Sequence, residues 1–229
     1  MSLTLADLEK MGMTLSPEQQ AIRAEINASD GNIEQLSPPL QELYRVAPDN
    51  LDFGDYAVEM LDLVKPLVEA FDKRDWPGYL AITHKRLRTP AFLWLDYEVS
   101  LTHVEYWQLL KSAYMDDDHV FVNAELYRDL YKADVPGGPR SGMNESELEV
   151  FDALPDTVTI YRGAVPERWR GFSWSLERPV AERFSKRTSG YVFTADVPRA
   201  ALIAYYDERS EAEVLVELDA LPKKAKISR

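Results

Sequence analysis

The chain has 229 residues, 45% of them hydrophobic and 11% aromatic, which is material for one large domain or two modest ones and disfavours global disorder. A formal charge of −13, from 26 basic and 39 acidic residues, repels phosphate backbones, so nucleic acid is not an expected partner and a cationic protein is the more compatible one. The absence of cysteine excludes disulfides, thiolate metal sites and a cysteine nucleophile, and fits a cytoplasmic protein.

No apolar run approaches the roughly 20 residues of a membrane helix, and no membrane partner is expected. The start, Met1-Ser2-Leu3-Thr4-Leu5-Ala6-Asp7, has no basic region followed by an apolar segment, so no secretory signal is expected. Ser16-Pro17-Glu18-Gln19 opens a helix: serine caps, proline suits the first turn and glutamine completes a capping box. From Asp55 the apolar positions Val58, Leu61, Val64, Leu67, Val68 and Phe71 recur at helical spacing, with Pro66 as an expected kink. Further helices are expected over Trp76–Leu87, over Ala91–Met115 as one or two segments, and over Glu125–Lys132.

The segment from Asp134 to Gly142, rich in glycine and proline, is the strongest break. It sets the expected division into a helical region, 1–143, and a second region, 144–229. Asn144 and Glu147 signal a capped helix ending before Pro155. Strand patterns follow at Thr157–Arg162, Tyr191–Val197, Ala201–Tyr206 and Val214–Leu218, interrupted by a helix over Arg178–Lys186 with Val180, Ala181 and Phe184 on one face. Helices first and then a mixed, mostly antiparallel sheet reads as α+β.

Three polar signals fall within this second region. Arg162 stands in Thr157-Val158-Thr159-Ile160-Tyr161-Arg162-Gly163, and its planar guanidinium suits bidentate binding of phosphate oxygens; alone, it reads more readily as half of a structural ion pair. Ser173 and Ser175 flank Trp174, so on a strand both hydroxyls share one face and the indole takes the other; alone, this is an ordinary edge strand. Glu211 and Glu213 share a face if the strand begins by Glu211. Such a pair can stabilise a developing cation and orient a nucleophile, or it can be solvated charge in the acidic loop Asp207-Glu208-Arg209-Ser210-Glu211. The switch to Val214-Leu215-Val216 directly after Glu213 favours the mouth of a core strand.

In this order the three signals resemble the arginine, serine-x-serine and glutamate-x-glutamate signature of the R-S-E class of mono-ADP-ribosyltransferases, over about Thr157 to Leu218. The resemblance implies an ADP-ribosyltransferase-type sheet and transfer of ADP-ribose from NAD to arginine side chains of target proteins, with release of nicotinamide and no metal. It implies a bacterial or phage-infected cytoplasmic setting. Arg162 then corresponds to the phosphate-contacting arginine, and Ser173 to the serine ordering the glutamate and the nicotinamide ribose, with Trp174 in place of the middle threonine. Glu213 corresponds to the anion that bonds the ribose 2′-hydroxyl and stabilises the oxocarbenium ion. Glu211 corresponds to the residue associated with transfer to arginine. Gly163, Ser175 and Phe184 join Arg162 and Ser173 as expected NAD contacts, while Tyr205 and Tyr206 occupy the place of target-recognising aromatics. The link from Arg162 to Ser173 is short for the family, so the nicotinamide pocket is expected to draw on the N-terminal helices or on the loop from Arg183 to Gly190. NAD hydrolysis uses the first half of the same mechanism, and a non-catalytic interaction module that keeps the fold is the reading from another class.

Other clusters carry less. Asp116-Asp117-Asp118-His119 lacks the glycine and terminal glutamate of the common calcium loop, and His84, His103 and His119 have no zinc-like spacing. Lys85, Arg86 and Arg88 read as a solvent-facing stripe, and Phe92, Trp94, Tyr97, Tyr106, Trp107 and Tyr114 as core. Glycosidase carboxylates usually come from different elements, unlike the pair at 211 and 213.

Overall fold

The computed structural model describes residues 15–117, 120 and 123–228; the opening segment Met1–Asp7 and the Asp118-His119 pair lie outside them. Two compact units divide the chain, Met1–Val120 and Phe121–Arg229, so the Gly/Pro break and the helix before it belong to the second unit. The architecture is α+β: helices in the first unit, and a six-stranded sheet with helices in the second. No helix among the described residues is long and apolar enough to cross a membrane.

In the first unit α1 (Pro17–Ala28) starts on the expected capping box, with Ser16 and Gln19 exchanging side-chain and backbone hydrogen bonds. The next helix, α2 (Pro38–Val46), was not expected. Its start, Ser37-Pro38, repeats the serine–proline pattern of Ser16-Pro17 but lacks the capping-box glutamine, and Leu40, Leu43 and Val46 bury one face. The single kinked helix expected from Asp55 is instead two, α3 (Phe53–Met60) and α4 (Val64–Asp72), separated by a 3₁₀ turn at Leu61–Leu63. Pro66 has no N–H to donate to the Asp62 carbonyl, so the helix breaks ahead of it and the proline falls in the first turn of α4. Helix α5 (Trp76–Ile82) ends earlier than expected, and α6 (Lys85–Glu98) runs through Pro90. The left-handed Ser100 (φ +54°) separates α6 from α7 (His103–Asp116), which Thr102 and Glu105 cap reciprocally.

The core of this unit is aromatic and partly polar. Tyr56 and Tyr79 are fully buried; their hydroxyls lie 3.3 Å apart, and Tyr79 donates to the Val46 carbonyl at 2.7 Å. Phe71 stacks on Trp94 at 6.0 Å. These rings tie α2, α3, α4, α5 and α6 into one cluster.

The second unit opens with α8 (Ala124–Tyr131), passes through the glycine turn (Gly137 φ +83°, Gly138 φ +62°), and forms α9 (Glu145–Ala153) on the Asn144–Glu147 capping box. The strands are β1 (Thr157–Ala164), β2 (Ser173–Ser175), β3 (Tyr191–Pro198), β4 (Leu202–Tyr206), β5 (Glu213–Val216) and the short β6 (Lys226–Ser228), which no hydrophobic pattern announced. Their order across the sheet is β4-β5-β2-β1-β3-β6, and every pair is antiparallel rather than mixed. Helix α10 (Arg178–Thr188) packs on β1 and β3 through Val180 and Ala181. Gly163 permits that approach: a Cβ there would lie 2.0 Å from the Ala181 carbonyl oxygen.

Burial raises the phenol pKa of Tyr79 and Tyr56 above the ordinary value of 10.0, lifts Tyr106 to about 12 with help from Asp96, and raises Tyr206 in the second unit. A raised folded-state value means that the neutral form is favoured by folding. The stability it carries is therefore complete below pH 10 and is lost as pH climbs from there through each folded value. In an alkaline titration, tyrosinate absorbance from these four should rise only together with the loss of the helical circular dichroism signal. Titration of all twelve tyrosines near pH 10 with the dichroism intact would refute the assignment.

Candidate active site

The sheet brings the arginine, a serine and one glutamate together at its middle. Strands β2 and β5 pair Ser173 with Leu215, Trp174 with Val214 and Ser175 with Glu213. Side chains alternate across a strand, so Ser173, Ser175 and Glu213 share a face, and Ser173 is the diagonal neighbour of Glu213. The Ser173 hydroxyl donates to Glu213 Oε1 at 2.5 Å. Trp174 points to the opposite face, is 2% exposed, and donates its indole N–H to the Gly171 carbonyl.

Ser175 does something different from its neighbour. Its hydroxyl donates to the Glu211 backbone carbonyl at 2.7 Å and accepts from the Glu177 amide at 2.9 Å. Ser173 therefore holds a carboxylate and Ser175 holds the loop that leads to it.

Arg162 reaches the same place from β1. That strand pairs with β2 at one register position, Tyr161 with Ser175, and the Arg162 side chain bridges the strands beyond it: Nη1 donates to the Ser173 carbonyl and Nε to the Arg168 carbonyl at 3.3 Å. The guanidinium packs directly on Gly171, where a Cβ would sit 2.3 Å from Arg162 Cζ. The short link between Arg162 and Ser173 is thus part of the site. It is pinned by Trp169 stacked on Phe193 at 5.7 Å and by Arg170, whose guanidinium donates to the Leu218 and Pro222 carbonyls.

Glu211 and Glu213 do not alternate on one strand as expected, because β5 begins at Glu213 and Ala212 is left-handed (φ +42°). Ser210 is left-handed too (φ +52°), and Asp207 ties the turn by accepting from the amides of Ser210 and Ala212. The buried Glu147, held by its own capping box, accepts from the Asp207 amide at 3.2 Å. The two glutamates still meet around one cation. Arg209 Nε lies 3.8 Å from Glu211 Oε2, and Nη2 lies 3.7 Å from Glu213 Oε2. Glu213 is 5% exposed, whereas the Glu211 side chain keeps 24% of its surface.

Other expected contacts fall elsewhere. Gly163 serves the packing of α10 against β1 rather than an open pocket wall, and Phe184, half-buried on α10, lies under the Arg187 guanidinium at 5.8 Å. Tyr205 and Tyr206 on β4 are 5% and 1% exposed, and Tyr206 shares a 2.9 Å hydrogen bond with Tyr131. Alternation to a buried strand interior, at the inner end of the loop rather than on it, takes both rings away from a target surface. Arg86 pairs with Glu59, and Arg88 with Asp116 and the Thr83 and Ala81 carbonyls, so these residues of the basic stripe are engaged within the first unit. Among the described residues no group of three His, Asp or Glu side chains is placed to hold a metal ion. Arg209 and Glu147 were missed from sequence. The charge of the first is camouflaged in an acidic loop, and the second reads as an ordinary cap.

What the geometry defines is an antiparallel α+β unit with a buried carboxylate held by a serine, beside an arginine that clamps the serine's strand. Comparison with protein-family models, with curated proteins and with solved structures gave no match.

The two glycines separate stability from site geometry. In Gly163→Ala the new Cβ meets backbone, the Ala181 carbonyl oxygen and the Ser185 nitrogen, so α10 must shift, at a cost of about 1–3 kcal/mol. In Gly171→Ala it meets the movable end of Arg162, which swings off the Ser173 carbonyl while the backbone stays. Thermal melts should place Gly163→Ala well below Gly171→Ala; the reverse order would contradict this account.

Proposed function

We propose that the chain is an NAD-dependent mono-ADP-ribosyltransferase that modifies arginine side chains of target proteins. The observation that carries this reading is the 2.5 Å hydrogen bond from Ser173 to Glu213, with the Arg162 guanidinium bonded to the carbonyl of that same serine. The three residue types of the signature meet on neighbouring strands.

In the proposed reaction the bond between nicotinamide nitrogen and ribose C1′ breaks, and its electron pair leaves with nicotinamide. The leaving group is already a cationic pyridinium, so it needs no Lewis acid. Positive charge grows at C1′, and a fixed carboxylate beside it lowers the barrier because the orientation cost was met during folding. Glu213 has that role: it is buried, and Ser173 fixes the carboxylate's direction. Arg162 orders the Ser173 strand and, as a permanent cation on the neighbouring strand, attracts the pyrophosphate of NAD. Glu211 retains exposure and engages the incoming guanidinium, whose proton it can accept as the new C1′–N bond forms. Because Tyr205 and Tyr206 are buried, recognition of the target falls to the acidic loop at residues 207–211.

Incubation with labelled NAD and a lysate tests the reading. Glu213→Ala should lower nicotinamide release by about 10²–10³-fold, the usual cost of losing one preorganised electrostatic group. Glu211→Ala should abolish label on proteins yet still release nicotinamide. Free ADP-ribose without labelled protein would reassign the chain to NAD hydrolysis, and no turnover together with no NAD-induced melting shift would refute both enzymatic readings.

A further inference from the structure

Arg209 holds the position that an acceptor guanidinium must take. Its Nη2 is 3.7 Å from the Glu213 carboxylate, the group placed beside C1′, and its Nε is 3.8 Å from the Glu211 carboxylate, the group placed to receive the acceptor's proton. The loop presents it there by construction. Asp207 closes the turn through the Ser210 and Ala212 amides, and left-handed Ser210 and Ala212 bend the chain so that residue 209 faces residue 213. Both contacts are longer than hydrogen bonds, and 44% of the Arg209 side chain is exposed, so the guanidinium is oriented without being locked.

We infer that Arg209 is an intramolecular acceptor, and that the chain ADP-ribosylates its own Arg209 in cis. This rests on the transferase reading of Glu213 and Glu211. The C1′–nicotinamide bond breaks with its pair on nicotinamide, the Arg209 Nη2 lone pair forms the new bond to C1′, and the guanidinium proton passes to Glu211 and on to solvent. NAD is the co-reactant, and no oxidant or reductant is required. A nucleophile held on the same loop as the catalytic carboxylates reacts at a high effective concentration, so self-modification competes with transfer to a second protein.

The test incubates the full chain with NAD and agmatine, a free guanidinium compound, then measures nicotinamide release, ADP-ribosyl-agmatine and the intact mass of the protein. The expected result is one ADP-ribosyl group per chain, mapped to Arg209 by peptide fragmentation, formed with a rate constant that does not change when the protein is diluted. Arg209→Lys, which keeps the charge and removes the guanidinium, should lose that group entirely. Modified agmatine with an unmodified Arg209 overturns this inference and leaves the transferase reading standing, as does label confined to other arginines. A rate constant that falls on dilution overturns the assignment in cis. Absence of both nicotinamide release and transfer overturns the transferase reading, and this inference with it.

Discussion

The second unit is organised around one awkward group, the Glu213 carboxylate, held 95% out of solvent at the first residue of a core strand. A buried anion is tolerated only where donors and cations are arranged for it beforehand. Three elements supply that arrangement. Strand β2 brings the Ser173 hydroxyl, the turn before β5 brings Arg209, and β1 brings Arg162, which fixes the Ser173 backbone rather than the carboxylate itself. Removing any one would leave the others bonded to a group out of register.

The loop ahead of Glu213 shows the same dependence at longer range. Glu147 starts α9 as a capping residue and, with its second oxygen, holds the Asp207 amide; Asp207 in turn holds the Ala212 amide; Ser175 holds the Glu211 carbonyl. A helix start more than sixty residues upstream in the chain thus determines where Glu211 and Arg209 stand. Polar links of this kind, each satisfied at both ends, specify one loop conformation where apolar packing alone would allow several.

Legibility in the sequence tracked the range of the interaction. Elements with local signals were readable: the capping boxes at Ser16 and Asn144, the alternating strand at Thr157–Arg162, and the glycine break at 137–138. Boundaries that depend on a missing or displaced backbone donor were not. Pro66 ends a helix upstream of itself, and Pro38 opens one whose cap residue, Ser37, makes no side-chain capping bond. At the site, the diagonal between Ser173 and Glu213 is implicit in two strands paired antiparallel, but the one-residue left-handed turn at Ala212 defeats simple alternation, so the relation between Glu211 and Glu213 could be seen only with the backbone in view. The expectation for Tyr205 and Tyr206 rested on their place in the chain relative to the loop. Burial of a strand interior overrode it.

Charge sets a last constraint on the proposed chemistry. The two proposed substrates would carry opposite signs, a pyrophosphate anion and a guanidinium cation, while the chain as a whole is at −13. A field of that sign favours approach of the cationic acceptor, and the acidic loop at 207–211 concentrates it where Glu211 stands. The same field opposes NAD, so anion recognition has to be local. Arg162 would meet that need because a guanidinium keeps its charge at any physiological pH, and Gly171 and two carbonyls hold it in place. A lysine there would keep the charge but lose the planar fork that joins the Ser173 and Arg168 carbonyls, and with it the alignment of the serine on Glu213. The arginine is therefore demanded twice, once by the anion it would attract and once by the strand it ties down.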